Sequence, residues 1–261
     1  MKRGSLVPVQ PYHRRRLIAA VNPYMTNVFH LRNPFIVSWW SASFPGFGHV
    51  LLGKYITGFL LMAWEVFANN IAHLNEGIYY SMTGRPGMAL DVMNEEWLWL
   101  YVTFYVFIIW DSYRQSIEYN KYFVLSFREG APIQMKNISP LEINVLEKRK
   151  PVYALFWSLL TPGLGHFYLN RLPSIVFGVL FWIITAYYSG LYKCIFYTAS
   201  GQFGLVHQIA QPQWFLFLPS LYVFLAYDSY VSTVEYNKLF DRELEKHMQS
   251  RYQHPDFKMP L

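Results

Sequence analysis

Apolar residues run along this chain in long, nearly unbroken stretches, and polar residues gather between them. Four stretches, at 55–75, 97–117, 174–194 and 214–234, approach the roughly 20 residues a helix needs to cross a bilayer. Two shorter ones, FIVSWWSASF (35–44) and VYALFWSLLT (152–161), end abruptly. Each runs into Pro-Gly-x-Gly-His: Pro45, Gly46, Gly48 and His49 in the first, and Pro162, Gly163, Gly165 and His166 in the second. Proline ends a helix because it lacks a donor and clashes backward. Glycine then permits a sharp reversal.

The chain overlays itself at a shift of 117 residues. Pro34 meets Pro151, FPGFGH meets TPGLGH, and YVFIIWDSYRQSIEYNKYF (105–123) meets YVFLAYDSYVSTVEYNKLF (222–240). Without gaps, 25 of the 90 positions from Pro34 to Phe123 are identical. The pattern predicts a tandem duplication. It comprises a basic segment 1–33, a first membrane repeat 34–123, a polar linker 124–150, a second repeat 151–240 and a tail 241–261.

Composition agrees with a membrane class. Of 261 residues, 53% are hydrophobic and 20% aromatic, and only 15% are charged, against about 25% in soluble domains. Trp97, Trp99, Trp110, Tyr187, Tyr188 and Trp214 fall near the ends of the predicted spans, where aromatic side chains favour the interface. A soluble core rich in aromatics is the competing reading, but such cores break into shorter helices with charged faces.

The net charge of +6 is distributed like an orientation signal, and no nucleic-acid partner is expected. Residues 1–33 hold six Lys/Arg and no acid, 114–150 hold seven Lys/Arg, and five more follow Val234. The connections 76–96 and 191–213 hold one Lys/Arg each, Arg85 and Lys193. Basic flanks stay cytoplasmic, so both termini and the linker are expected on the cytoplasmic side of a bacterial-type inner membrane. The N-terminus lacks the continuous apolar core of a signal peptide.

Each half must then cross an even number of times. The ten-residue first segment reaches only about 15 Å, half a bilayer core. It is read as a re-entrant half-helix that precedes a two-span hairpin. The expected fold is an all-α integral membrane protein with two parallel repeats. Six full spans with inverted halves are the alternative, which would put the basic linker outside.

His49 and His166 close the turns, where they can satisfy backbone carbonyls or titrate as a switch. Asp111 and Asp228 lie in the last spans, each seven residues before an acid, Glu118 and Glu235, with Lys121 and Lys238 three further on. A His–Asp contact in each half is expected to pin the turn to the last span, with Lys54 and Arg171 as further candidate partners. Glu65 occurs only in the first half, since Trp182 is its counterpart. With Asn69 and His73 it forms an i, i+4, i+8 stripe, read as interhelical glue or a solute path. The single cysteine, Cys194, forms no disulfide within the chain. No metal spacing, Walker loop or nucleophile motif occurs, so neither cofactor, metal nor enzymatic activity is expected.

The run PGLGHFYLNR (162–171) resembles the two-transmembrane-helix domain family. Gly165, His166, Phe167, Tyr168, Leu169 and Arg171 match its turn in type, with Asn170 in place of a glycine. The first copy matches more loosely, through Gly48, His49, Leu52, Gly53 and Lys54. The resemblance implies a helical hairpin preceded by a turn-forming segment, and no shared reaction. The expected role is a non-enzymatic subunit or assembly partner of a larger membrane complex. Its surroundings are the lipid bilayer and other membrane proteins or copies of itself. A small channel or transporter with paired half-helices is the alternative.

Overall fold

The computed structural model describes residues 16–252; residues 1–15 of the basic segment and 253–261 of the tail lie outside the described residues. Two strands, β1 (Ala19–Asn22) and β2 (Met25–Val28), pair antiparallel with Ala19 opposite Val28. Six helices follow: α1 (Pro34–Ser43), α2 (Phe47–Leu51), α3 (Tyr55–Ala72), α4 (Leu74–Met82), α5 (Pro86–Val92) and α6 (Glu95–Glu129). A second antiparallel pair, β3 (Lys136–Ile138) and β4 (Ile143–Val145), leads into α7 (Pro151–Leu160), α8 (Leu164–Tyr168) and α9 (Leu172–Ser189). Then come α10 (Leu191–Ala199), α11 (Phe203–Ile209), α12 (Pro212–Phe215) and α13 (Phe217–Tyr252). The fold is therefore helical with two small β-hairpins. The starts of α7 to α12 each fall 117 residues after those of α1 to α6.

Local chemistry explains the boundaries. Pro34 and Pro151 sit in the first turns of α1 and α7, where a missing N–H costs nothing. The Asn33 side chain caps α1 by accepting from Phe35 N at 2.9 Å. Phe44 and Thr161 turn extended, and Gly46 and Gly163 take φ of 104° and 100°. A Cβ is poorly tolerated at such angles. The helices α2 and α8 then fold back onto α1 and α7. A Cβ on Gly48 would lie 2.5 Å from Val37 O, and one on Gly165 would lie 2.3 Å from Ala154 O.

The helices α3 and α9 have 18 residues each, about 27 Å. Both end earlier than the apolar runs 55–75 and 174–194 predict. His73 and Gly190 adopt left-handed conformations, with φ of 51° and 73°, and break the runs into α4 and α10. The connections 76–96 and 191–213 are also not open loops but short helices, too brief for helical periodicity to show in sequence. At the far end α6 continues for 35 residues, about 52 Å. Its counterpart is interrupted at Leu216 between α12 and α13, since Pro219 has no N–H to offer the Phe215 carbonyl.

The basic segment and the polar linker each contribute a β-hairpin. Both β-hairpins pack on the end of α8 and α13 through Ile18, Ala19, Val21, Leu146, Leu169, Tyr236 and Leu239. The main core is aromatic and joins the two series of helices. Phe47 stacks on Phe224 with centroids 3.9 Å apart, and Phe59 stacks on Phe177 at 4.5 Å. Phe44 meets Phe217 edge-on at 5.7 Å. Outside this core, Trp99, Phe104, Val106, Phe107 and Trp110 on α6 and Val176, Leu180, Ile183 and Ile184 on α9 are exposed. Two helical stretches, Leu172–Ser189 and Pro212–Gln249, are long and apolar enough to cross a membrane. The other two predicted spans fall on α3 and α6, which do not reach that apolarity: α3 carries Glu65, Asn69 and Asn70, and α6 carries Asp111.

The glycine contacts are testable. Gly165→Ala is expected to lower stability by about 1–3 kcal/mol, the usual cost of overpacking. Gly204→Ala, with nothing within 4 Å of the added methyl, is expected to be silent. Thermal unfolding of the two purified variants in detergent checks both.

Candidate functional site

The turn that reverses each short helix also buries an imidazole. His49 on α2 and His166 on α8 are fully buried. Nε2 of His49 lies 3.1 Å from Asp111 Oδ2 on α6. Nε2 of His166 lies 2.9 Å from Asp228 Oδ2 on α13. Because a carboxylate only accepts, Nε2 carries the proton in each pair. The histidines thus reach the long helix rather than the carbonyls of the turn. Nδ1 of both rings has no side-chain or backbone partner.

The two pairs differ in their surroundings. Asp228 also accepts from Arg171 at 2.9 Å, and that guanidinium bonds Tyr55 Oη at 2.6 Å and Ser232 Oγ. Arg171 and Asp228 have side chains only 5% and 1% exposed. Asp111, 13% exposed, meets the outlying Arg114 at 2.6 Å and Gln115 instead, and Lys54 remains exposed. The outer acids bond the cations three residues on, Glu118 to Lys121 and Glu235 to Lys238, both at 2.7 Å.

The stripe on α3 is partly assembled. Glu65 Oε1 accepts from Asn69 Nδ2 at 3.0 Å and Tyr101 Oη at 3.2 Å, while its Oε2 has no partner. His73 caps α3 and turns outward to Glu76 at 3.3 Å, because its left-handed backbone takes it off the helical face. Asn75 and Gln213 take its place. Gln213 Nε2 donates to Asn69 Oδ1 at 2.8 Å, and Asn75 Nδ2 donates to the Gln213 carbonyl at 2.9 Å. This buried network ties α3, α4 and α6 to α12.

Chemically, the His–Asp pairs hold geometry. A general base must reach the atom it deprotonates, and these rings are enclosed, each with its Nδ1 unpartnered. Among the described residues no group of three or more His, Cys, Asp or Glu could hold a metal ion. No protein-family model matches the chain, and no curated protein or solved structure is detectably similar to it.

Tyr101, Asn75 and Gln213 are the principal members that sequence reasoning did not place. Arg171 was expected as a candidate partner of Asp228, and the two are paired. Tyr101 and Gln213 carry no spacing signal, since each joins by a contact across helices.

A further histidine, His30, lies beside α13 with Nδ1 3.7 Å from Glu235 Oε2, too long for a hydrogen bond. Burial, reinforced by the charges of Arg32 and Lys238, lowers its pKa from 6.5 to about 3, against weaker support from the Leu31 backbone and Asp228. An unfolded chain takes up a proton near 6.5 that the folded ring refuses. Stability present above pH 6.5 is therefore lost as pH falls toward 3. A thermal midpoint that drops between pH 7 and 5, and drops less in His30→Gln, is the expected result.

The two carboxylates should not be equivalent. Asp228→Asn strands the buried Arg171 and is expected to cost about 3–5 kcal/mol. Asp111→Asn, beside an exposed arginine, is expected to cost about 1 kcal/mol. A double-mutant cycle between His166 and Asp228 in chemical denaturation should give a coupling of about 1–3 kcal/mol, and zero coupling would deny the pinning role.

Proposed function

We propose that this chain is a multi-pass protein of a bacterial-type inner membrane, duplicated in tandem as 34–123 and 151–240, with both termini and the 124–150 segment cytoplasmic. In this reading α1–α2 and α7–α8 are re-entrant elements. Helices α3, α6, α9 and α12–α13 are the spans, and the two repeats run parallel. The protein acts as a non-enzymatic subunit or assembly partner of a larger membrane complex.

The observation that carries the reading is a division of surfaces. Large aromatic and aliphatic side chains cover the outer faces of α6 and α9, while Tyr101 and Asp111 on α6 are bonded inward to Glu65 and His49, and Arg171 at the start of α9 is bonded inward to Asp228. A soluble protein of this size would expose far less contiguous apolar area. The duplication is supported by contacts that recur at 117 residues. Tyr105 Oη bonds Ala42 O, and Tyr222 Oη bonds Leu159 O. The Asn120 side chain brackets the Arg32 peptide with two bonds, and Asn237 does the same to Arg149.

The alternative, a channel or transporter, draws on the free Oε2 of Glu65. Against it, Glu65 is bound by Asn69 and Tyr101 and lines neither the opening at the base nor the one between α3 and α9. Purification of the tagged protein from native membranes in mild detergent is expected to retain a stoichiometric protein partner. Glu65→Gln should retain it equally. A lone homo-oligomer whose ion flux in liposomes disappears on Glu65→Gln would replace the scaffold reading with the transport one.

A further inference from the structure

At the basal end, where the β1–β2 hairpin meets α2, α6 and α13, lies a chamber of about 350 Å³. That is large enough for a small polar group. Its wall includes the guanidinium groups of Arg32 and Arg171 and the phenols of Tyr55 and Tyr119. Arg171 is 4% exposed, yet its Nε–H has no acceptor. The Nε–H of Arg32 is likewise buried without one, and Arg32 forms no ion pair among the described residues. The acid in the wall is Glu235, already paired with Lys238 at 2.7 Å. Asp228 lies behind Arg171 and satisfies its Nη1. Buried donors without acceptors are costly, and two guanidinium groups are donor chemistry for an oxyanion; the Tyr119 hydroxyl already donates to the Val28 carbonyl at 2.9 Å.

An apolar groove of about 950 Å³ begins beside this chamber. Tyr24, Phe59 and Leu172 line the groove, whereas Thr26, Tyr55 and Arg171, their near neighbours in the chain, line the chamber. No residue lines both, and at their border the Tyr24 carbonyl accepts from Leu172 N at 2.9 Å. From there the groove runs between α3 and α9 to Ile184. Twelve helical residues span about 18 Å, close to the roughly 15 Å depth of one leaflet.

We propose that the chamber and groove together bind one anionic phospholipid of the surrounding bilayer, its phosphate between Arg32 and Arg171 and an acyl chain between α3 and α9. The proposal rests on the membrane reading above. The matching of a basic pocket to an apolar groove of leaflet depth selects an amphiphile over a free anion. The chamber's end carries the chain's clusters of Lys and Arg, which on that reading faces the anionic cytoplasmic leaflet.

The test uses full-length protein purified in mild detergent and stripped of lipid. Added phosphatidylglycerol should raise its thermal midpoint, and native mass spectrometry should show one retained phospholipid. Arg171→Gln would leave Asp228 unpaired and could unfold, so Arg32→Gln is the informative variant. Its affinity should fall about tenfold, the effect of losing one charge-assisted contact. Ala63→Phe, which fills the groove from α3, should weaken phosphatidylglycerol binding as well. Inorganic phosphate at equal concentration should give a much smaller shift. If phosphate stabilises as well as the lipid and Ala63→Phe is without effect, the chamber is a free-anion site and the proposal is overturned. Absence of any lipid shift overturns it too. Alkaline carbonate extraction of native membranes separates the two levels. Release of the protein defeats the membrane reading itself, while retention without lipid binding defeats this proposal alone.

Discussion

Reversing a chain inside an apolar body leaves amides and carbonyls that water cannot reach, and each must find a partner nearby. The two Pro-Gly turns meet this demand by the same means. Within the first, Phe47 N bonds Phe44 O, Val50 N bonds Gly46 O and Lys54 N returns to His49 O. Within the second, Leu164 N bonds Thr161 O, Phe167 N bonds Gly163 O and Arg171 N returns to His166 O. Carbonyls at the ends of α1 and α7 are met from outside by Tyr105 and Tyr222. Such a reversal works only if α2 and α8 lie almost on the backbone of the preceding helix, which Gly48 and Gly165 allow. Once the turn is closed, its histidine faces the long helix, and the aspartate there completes the bond.

Much of this was legible from residues alone, because the turn's requirements are local and repeated. Proline, glycine and histidine in a fixed order inside an apolar run leave few physical readings. The 117-residue shift brings the Tyr, Asp and Asn of the long helices into register. Less was legible where contacts are short-range and weakly patterned. The β-hairpins have strands of three or four residues, too few for alternation to stand out. The helices α4, α5, α10 and α11 run nine residues or fewer, so helical periodicity had no length over which to accumulate. His73 sat at the correct spacing to continue the Glu65 stripe, but its left-handed backbone ended the helix first.

The unshared residues carry a different lesson. The two Pro-Gly turns are built alike but are held by different charges. Position 54 holds an exposed lysine, while position 171 holds an arginine buried against Asp228 and bonded across to Tyr55. Leu172, the counterpart of Tyr55, instead faces the groove. Arg171 of the second series of helices thus meets Tyr55 of the first. Glu65 and Gln213 have the same character at the other end, each without an equivalent in its sister half, and Asn69 and Asn75 link them. The aromatic core between the halves is non-directional and sets no angle by itself. These two polar contacts, one near each end, constrain the rotation of one half against the other.

That arrangement places the cost of buried charge where it serves the join. A lone aspartate beside α8 would be paid for poorly by a neutral imidazole, because a buried carboxylate needs a full countercharge. In the first half the need is met at the surface by Arg114, a residue of the same helix, and nothing further is tied down. In the second half it is met from the start of α9, so the charge requirement of α13 fixes the position of α9. The groove that α9 forms with α3 depends in turn on that position. The geometry of the apolar groove therefore traces back, through one guanidinium, to the aspartate that holds the second turn.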